Sequence, residues 1–176
     1  MEYFIIISHP SLILFLSAIS LILFFKYDKI FKLIALLAPF LSCLLLNYSP
    51  EKFYISIQHI SLIHEKSHSN IYICDIFNAV LFLANLFALA KNKKLEIIYG
   101  TCYGASSIAC ILAADYISII ISLELMMIFS SIIIFIGNKS ESSSSAKKYF
   151  LTHFLSGNMI LFGFIYLINK TNSFEI

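Results

Sequence analysis

Residues 116–137, YISIIISLELMMIFSSIIIFIG, form an apolar run that contains a single carboxylic acid, Glu124. A helix of this length, rising about 1.5 Å per residue, is long enough to cross the roughly 30 Å hydrocarbon core of a bilayer. A carboxyl group near the middle of such a helix costs about 2.5 kcal/mol or more to insert. Glu124 is therefore the first candidate for a functional residue, a site for a proton or a cation. The alternative is a structural acid bonded to a neighbouring hydroxyl or backbone group.

The composition of the whole chain favours a membrane protein. Of the 176 residues, 60% are hydrophobic and 12% are charged, and the mean hydropathy is +0.89. A soluble domain of this length cannot bury so much apolar surface. The twelve basic residues are all lysines and the net charge is +2, so the composition gives no indication of nucleic-acid binding.

Five further apolar runs accompany this segment, and together they predict an all-α, polytopic membrane bundle of six transmembrane helices. The predicted spans are residues 3–25, 30–47, 72–90, 95–114, 116–137 and 148–168. They form one membrane domain, 1–176, with hydrophilic loops at 48–71 and 138–147. Pro10 is expected to kink the first helix, and the weakly alternating piece FYISIQHISLIH in the first of these loops fits a short hairpin. Gly100 and Gly104, four residues apart, predict a face for close helix packing.

The lysines predict the orientation of the bundle. Nine of the twelve follow the first, third and fifth spans, and three lie elsewhere. Because cytoplasmic loops are enriched in lysine, we expect loop 138–147 in the cytoplasm and loop 48–71 outside it. Both termini are then extracytoplasmic, in a multi-pass protein of the cell (inner) membrane.

Asp75 and His153 are two further candidates inside predicted spans. Asp75 is near the start of the third span, where an acid that reaches the interface is the alternative to a place on an ion path. His153 lies about one and a half turns into the sixth span, where it can relay protons or simply hydrogen-bond a neighbouring helix. Ser131, seven residues after Glu124, shares its face of the helix. Glu124, His153 and Asp75 are the predicted proton or ion translocation residues.

The sequence contains no pattern that indicates an enzyme. His59, His64 and His68 lack the spacing of a metal site, so a solvated loop is the preferred interpretation. We find no glycine-rich phosphate loop and no nucleophile elbow. We therefore predict no enzymatic activity, no metal and no cofactor.

Residues 114–168 resemble the antiporter-like membrane proteins, a family that includes the D-type component of Mrp- or Mnh-type multisubunit Na+/H+ antiporters and the proton-pumping subunits of complex I. The resemblance rests on an apolar helix with Glu-Leu-Met and a following Ser-Ser, a polar loop, and Lys-Lys-Tyr-Phe opening the next helix. It places the intramembrane glutamate of the family on Glu124. The segment KKYFLTHFLSGNMILFG, with His153, is closest to the antiporter branch, and CDIFNAVLF similarly places Asp75 at the start of the third helix.

The resemblance implies a fold of fourteen helices, of which this chain would be the N-terminal portion, without the lysine that partners the glutamate. It implies a component of a multisubunit monovalent cation/proton antiporter that exchanges Na+ for H+. The implied partners are other membrane subunits, the lipid bilayer, a monovalent cation and the proton. One alternative is a proton-translocating membrane subunit of NADH:quinone oxidoreductase, whose dehydrogenase activity would belong to the larger complex. The other is a truncated, non-transporting remnant or structural subunit.

Overall fold

The structure, a computed structural model, describes residues 9–57, 60–137 and 140–174. In these ranges it contains six helices and one two-stranded hairpin. The elements are α1 (Pro10–Leu23), α2 (Asp28–Tyr48), β1 (Lys52–Ile57), β2 (Ile60–Glu65), α3 (His68–Ala90), α4 (Lys94–Leu112), α5 (Tyr116–Phe135) and α6 (Ser142–Thr171). By length and composition, α2 to α6 can cross a membrane, and α1 is a shorter apolar helix. The predicted all-α polytopic membrane fold is confirmed.

Helix α1 begins at the residue that was expected to kink it. His9 is the N-cap, in an extended conformation, and its Nδ1 atom accepts a hydrogen bond of 3.3 Å from the Ser11 backbone amide. Pro10 follows as the first helical residue, where its missing N–H costs nothing because the first amides of a helix have no partner within it. The predicted kink at Pro10 is therefore wrong. The predicted start of this span, at residue 3, lies outside the described residues.

Helix α2 continues through Pro39 because another helix completes its hydrogen bonding. Proline has no N–H, so the carbonyl of Ala35, four residues earlier, loses its helical donor. The side-chain amide of Asn85 in α3 donates to the Ala35 carbonyl oxygen at 2.9 Å. Asn85 is 2% exposed, so this bond forms where water does not replace it.

Helix α4 is the central element of the bundle. It packs against α1, α3 and α5, while α6 packs mainly against α5. Gly104 permits the close approach of α3, since a Cβ atom there would lie 2.7 Å from Leu81 Cδ2. Around Gly100, an added Cβ would meet nothing within 4 Å. The predicted small-residue packing face is therefore confirmed at Gly104 only.

Buried apolar side chains form two clusters, one toward each end of the bundle. The cluster near the hairpin contains Leu14, Ala38, Leu46, Cys74, Leu81, Ala105, Ile108 and Leu112. The cluster near the lysine-rich connections contains Leu21, Phe31, Ala35, Ala88, Ile97 and Ile98. Many large apolar side chains lie outside both clusters, among them Phe162, which is 69% exposed. An outer surface of this kind is suited to lipid.

The hairpin expected within residues 48–71 is confirmed. Strands β1 and β2 pair antiparallel, with Lys52 opposite Glu65 and a 3.1 Å ion pair between their side chains. The Lys66 ammonium group that follows β2 donates to the Leu46 carbonyl oxygen, at 2.8 Å, near the end of α2. This contact ties the hairpin to the bundle.

The last helix starts earlier than predicted. Helix α6 begins at Ser142 and not at residue 148, so the second half of the predicted loop 138–147 is helical. Hydropathy measures only how apolar a segment is. A polar run of serines is therefore predicted to be a loop even where its backbone is helical. Apart from the start of α1, the ends of the other helices lie within about four residues of the predicted spans, an accuracy typical of sequence-based boundaries.

Candidate functional site

Glu124 lies near the middle of α5, on the side that faces α6. It is the ninth residue of the helix, about 12 Å from its first residue at 1.5 Å per residue. The side chain is half-buried. Its carboxylate lies against the backbone of α6 at Gly157, where a Cβ atom would be 2.8 Å from Glu124 Oε1. Within the described parts of the chain, no residue forms a hydrogen bond or ion pair with this carboxylate.

Glu124 and His153 line the same cavity, of about 130 Å³, between α5 and α6. The ring of Tyr149 lies beside the His153 ring, with 4.2 Å between their centroids. Tyr149, His153 and Gly157 are spaced by four residues, so α6 presents all three on one face. The other lining residues are Tyr103, Leu123, Met126, Met127, Ser156 and Ile160. The structure thus brings together two of the three predicted translocation residues.

This cavity combines groups that exchange protons. A carboxylic acid, an imidazole and phenol hydroxyl groups line one space. In its neutral form, each of these groups can both donate and accept a hydrogen bond. The volume is sufficient for water molecules, which can bridge groups that do not touch. His153 is exposed in the described structure, so the cavity opens at the edge of the bundle. The arrangement therefore places an acid, an imidazole and two phenol groups around one space that can hold water.

The buried polar side chains of α5 are serines. Ser118, Ser122 and Ser131 are all buried, with Ser131 on the side of Glu124 and the other two on the opposite side of the helix. Ser131, which was predicted to share the face of Glu124, donates its hydroxyl to the Met127 carbonyl of its own helix at 2.7 Å. These small side chains allow neighbouring helices to approach closely.

Asp75 lies apart from the Glu124 cavity. It lines a crevice of about 400 Å³ between α2 and α3, whose other walls are largely apolar. The Cys43 thiol donates to Asp75 Oδ1 at 3.2 Å. Asn78, one turn later, is 3% exposed, and neither atom of its amide has a hydrogen-bond partner among the described residues. The structure does not bring Asp75 together with Glu124 and His153.

A second polar cluster, at the hairpin end of the bundle, was not anticipated. His64 and His9 are buried, 6% and 2% exposed, with ring centroids 4.7 Å apart in an edge-to-face contact. The interpretation of His64 as part of a solvated loop is therefore wrong, while His59 lies outside the described residues. Burial lowers the pKa of His64, and the nearby Asp115 carboxylate opposes this shift. Within the described ranges, no group of three or more His, Cys, Asp or Glu residues is placed to hold a metal ion.

Asp115 joins this cluster to α5. It is 1% exposed, and its carboxylate accepts hydrogen bonds from the backbone amide and the hydroxyl of Ser118, at 2.7 and 2.5 Å. The same carboxylate accepts from the Ile63 backbone amide of β2 at 2.6 Å. Asp115 is therefore both the N-cap of α5 and a link to the hairpin. Sequence spacing gives no signal for the link to the hairpin.

The lysine-rich connections meet at the other end. The Lys94 ammonium group donates to Asp28 Oδ1 at 2.5 Å and to the Phe25 carbonyl at 2.7 Å, which joins the α3–α4 connection to the α1–α2 connection. Lys94 and Phe25 share a surface depression with Ile136, at the end of α5. The three connections that carry most of the lysines therefore lie on one side of the bundle.

Comparison with known proteins gives a family match for the C-terminal part of the chain. Residues 113–176 match the family described as NADH:quinone oxidoreductase/Mrp antiporter, transmembrane. No curated protein sequence matches the chain.

The fold as a whole resembles a solved membrane complex. A similar chain occurs in the structure of the membrane-bound sulfane sulfur reductase, an archaeal respiratory membrane complex. The two chains are 18% identical with a TM-score of 0.79, and the alignment covers 95% of this chain. It covers 28% of the other chain, so this chain spans less than a third of the length of that relative. At this identity, the likeness shows the fold.

The family match contains the whole of the Glu124 cavity except Tyr103, and it excludes Asp75. It also contains both helices that form the cavity. The resemblance predicted from the sequence is therefore confirmed over residues 113–176, which match the membrane domain of NADH:quinone oxidoreductase and Mrp antiporters.

Proposed function

We propose that the chain is a component of a multisubunit monovalent cation/proton antiporter, in which Glu124 takes up and releases the transported proton. The observation that supports this most directly is the cavity shared by Glu124 and His153 at mid-helix depth. An intramembrane acid is costly, and a role in ion or proton transfer is its usual explanation. Because the chain spans 28% of its structural relative, the proposal is for transport by an assembly and not by this polypeptide alone.

The chemistry of the carboxyl group fits exchange. The protonated acid is neutral, whereas the ionised form attracts a cation strongly in a medium of low dielectric constant. None of the described residues supplies a countercharge to Glu124, so the ionised form would be neutralised by a monovalent cation or by a cationic side chain of another membrane subunit. Alternation between these two states couples the movement of a proton to that of a cation.

His153 and Asp75 have different places in this proposal. His153, beside Tyr149, is proposed to relay protons between Glu124 and the opening of the cavity. Asp75 is proposed as an ion-path residue of a separate crevice, where its carboxylate accepts a hydrogen bond from the Cys43 thiol. The assembly is proposed to lie in the cell membrane with Na+ as the exchanged cation.

The test uses proteoliposomes that contain the chain together with the membrane subunits that co-purify with it. A pH-sensitive dye inside the vesicles reports proton movement when an Na+ gradient is imposed. We expect Glu124→Gln to reduce the response to that of protein-free vesicles, because glutamine cannot carry a proton. Glu141→Gln is the control, since Glu141 is an exposed acid at the start of α6, outside the cavity. Unchanged exchange in Glu124→Gln, or no exchange in any assembly, would contradict the proposal.

A proton-translocating subunit of a respiratory complex is the second candidate. It is favoured by one observation, the likeness to a chain of an archaeal respiratory membrane complex. The same vesicles separate the two candidates. Proton movement driven by an Na+ gradient alone supports antiport, whereas movement that requires oxidation of an electron donor supports the respiratory subunit.

A further inference from the structure

We propose that Gly157 is a positioning residue for Glu124, because its missing side chain provides the space on α6 in which the Glu124 carboxylate lies. This inference rests on the proposed role of Glu124. It adds that a residue of the neighbouring helix determines where the Glu124 carboxylate lies. Gly157 does not itself exchange a proton.

The geometry at Gly157 is specific to this one acid. A Cβ atom on Gly157 would lie 2.8 Å from Glu124 Oε1 and 3.8 Å from Glu124 Cδ, and it would meet no other described atom within 4 Å apart from its chain neighbours and the adjacent backbone of α6. Non-bonded heavy atoms normally approach to about 3.5–4.0 Å. The space left by the absent side chain is therefore filled by the carboxylate alone.

A second glycine of the same helix shows the contrast. An added Cβ on Gly163, six residues further along α6, would meet nothing within 4 Å. Glycine is unfavourable in a helix interior relative to alanine, so helix formation does not explain either residue. Gly157 differs from Gly163 in having a carboxylate against it.

The position of Gly157 relates the acid to the rest of the cavity. Gly157 is one turn after His153, and both line the cavity that contains Glu124. A carboxylate that lies against Gly157 is held within about one helical turn of the imidazole along α6. Gly157 thus sets how the acid and the histidine of the proposed proton path are arranged.

Substitution at Gly157 should move the acid without separating the helices. The atom that an added methyl group would meet is the far end of a flexible side chain and not a backbone atom. The carboxylate can therefore rotate away into the cavity while α5 and α6 stay packed. We expect Gly157→Ala and Gly163→Ala to retain the helix content and the thermal unfolding midpoint of the unsubstituted chain.

The first test measures the reactivity of Glu124 with dicyclohexylcarbodiimide, an apolar reagent that modifies protonated carboxyl groups in membranes. Mass spectrometry of the peptide that contains Glu124 gives the rate of modification. We expect Gly157→Ala to react several-fold faster, because the added methyl group displaces the Glu124 carboxylate from its contact with α6 into the open cavity. Gly163→Ala should react at the original rate. Equal rates in the two alanine variants would overturn the inference.

A shorter acid provides the rescue. Glu124→Asp removes one methylene group and leaves room for a methyl group on α6. In that background, we expect Gly157→Ala to change the rate of modification little, so that the two substitutions are strongly non-additive. The same rate ratio in the glutamate and aspartate backgrounds would show that Gly157 does not act through the Glu124 carboxylate, and would overturn the inference.

A transport measurement separates this inference from the proposed function. In the assembled vesicles, Gly157→Ala should shift the pH profile of Na+-driven proton movement, and Gly163→Ala should leave it unchanged. If the unsubstituted assembly shows no exchange, the proposed function fails, while the carbodiimide comparison still decides the role of Gly157. If exchange is present but modification is identical in the two alanine variants, only the inference fails.

Discussion

At the scale of single residues, Asn85 shows how one helix completes the hydrogen bonding of another. Its amide occupies the position of the donor that Pro39 lacks, 2.9 Å from the Ala35 carbonyl oxygen. In lipid an unpaired carbonyl costs several kcal/mol, because no water is present to satisfy it. Measured hydrogen bonds between membrane helices contribute less, about 0.6 kcal/mol on average and up to about 1.7. The stabilisation that Asn85 provides at the α2–α3 contact therefore depends on residue 39 being proline, because only then does the Ala35 carbonyl lack a backbone donor.

This dependence gives a double-substitution prediction. We expect Asn85→Leu to lower the free energy of unfolding by about 1–2 kcal/mol, because it leaves the Ala35 carbonyl without a donor. In a Pro39→Ala background the loss should be smaller, since alanine supplies the backbone N–H. Unfolding in mixed micelles by a denaturing detergent measures both. Asn158→Leu is the control, because Asn158 donates to the Phe154 carbonyl of its own helix. Equal losses in the two backgrounds would contradict the prediction.

The sequence could reveal Glu124 because the free-energy cost of inserting an acid into the membrane is evident from the apolar residues on either side of it. It could not reveal Gly157, because the proposed role of this glycine depends on which side chain of α5 lies against it. For the same reason the burial of His64 was missed. A histidine in a polar loop reads as solvated until the hairpin is docked and His9 lies against the ring. Residues that act through a neighbour from a distant segment are outside the reach of spacing rules.

At the scale of elements, the hairpin is held to the bundle by Asp115. This buried carboxylate caps α5 through Ser118 and accepts from the Ile63 amide of β2. The Ala114 amide returns a bond of 2.8 Å to the Ile63 carbonyl. Hairpin docking and the start of α5 are thus fixed by the same side chain, so loss of that side chain affects two elements together.

We therefore expect Asp115→Ala to destabilise the chain by more than an ordinary N-cap loss of about 1 kcal/mol. An additional loss of about 1–3 kcal/mol follows because the partly buried Ile63 amide is left without its acceptor. Ser67→Ala is the matched control, since Ser67 is the exposed N-cap of α3 and its hydroxyl accepts from the Asn70 amide of the same helix. Hydrogen exchange should show lost protection of the Ile63 amide in Asp115→Ala alone. Equal destabilisation by the two substitutions, with Ile63 still protected, would argue against the shared role.

Element boundaries were predicted less well than the elements themselves. The long apolar runs identify α2 to α5 because a membrane-crossing helix must be apolar over its whole length. The start of α1 at Pro10 and the start of α6 at Ser142 depend on capping and on polar residues that extend a helix beyond the apolar part. Hydropathy is insensitive to both effects.

At the scale of the whole molecule, the two ends of the bundle differ in chemistry. One end brings together the lysine-rich connections through the bonds of Lys94 to the Phe25 carbonyl and to Asp28. The other end is closed by the hairpin. The Glu124 cavity lies between the ends and at the periphery, beside α6, whose apolar stretch has no buried portion. A proton path through this cavity would therefore run along the edge of the described bundle.

The orientation of these ends in the membrane is the last prediction. Because lysine-rich connections remain in the cytoplasm, we expect the Lys94 end to be cytoplasmic and the hairpin outside. In a background without the native cysteines, Ser144→Cys and Lys91→Cys should react with a membrane-impermeant maleimide only in inverted vesicles. Glu51→Cys should react only in intact cells or spheroplasts, and all three positions are exposed. If Ser144→Cys and Lys91→Cys are labelled from different sides of the membrane, their two connections do not lie at one end of the bundle. If all three positions are labelled from the side opposite to that expected, only the orientation predicted from the lysines is wrong.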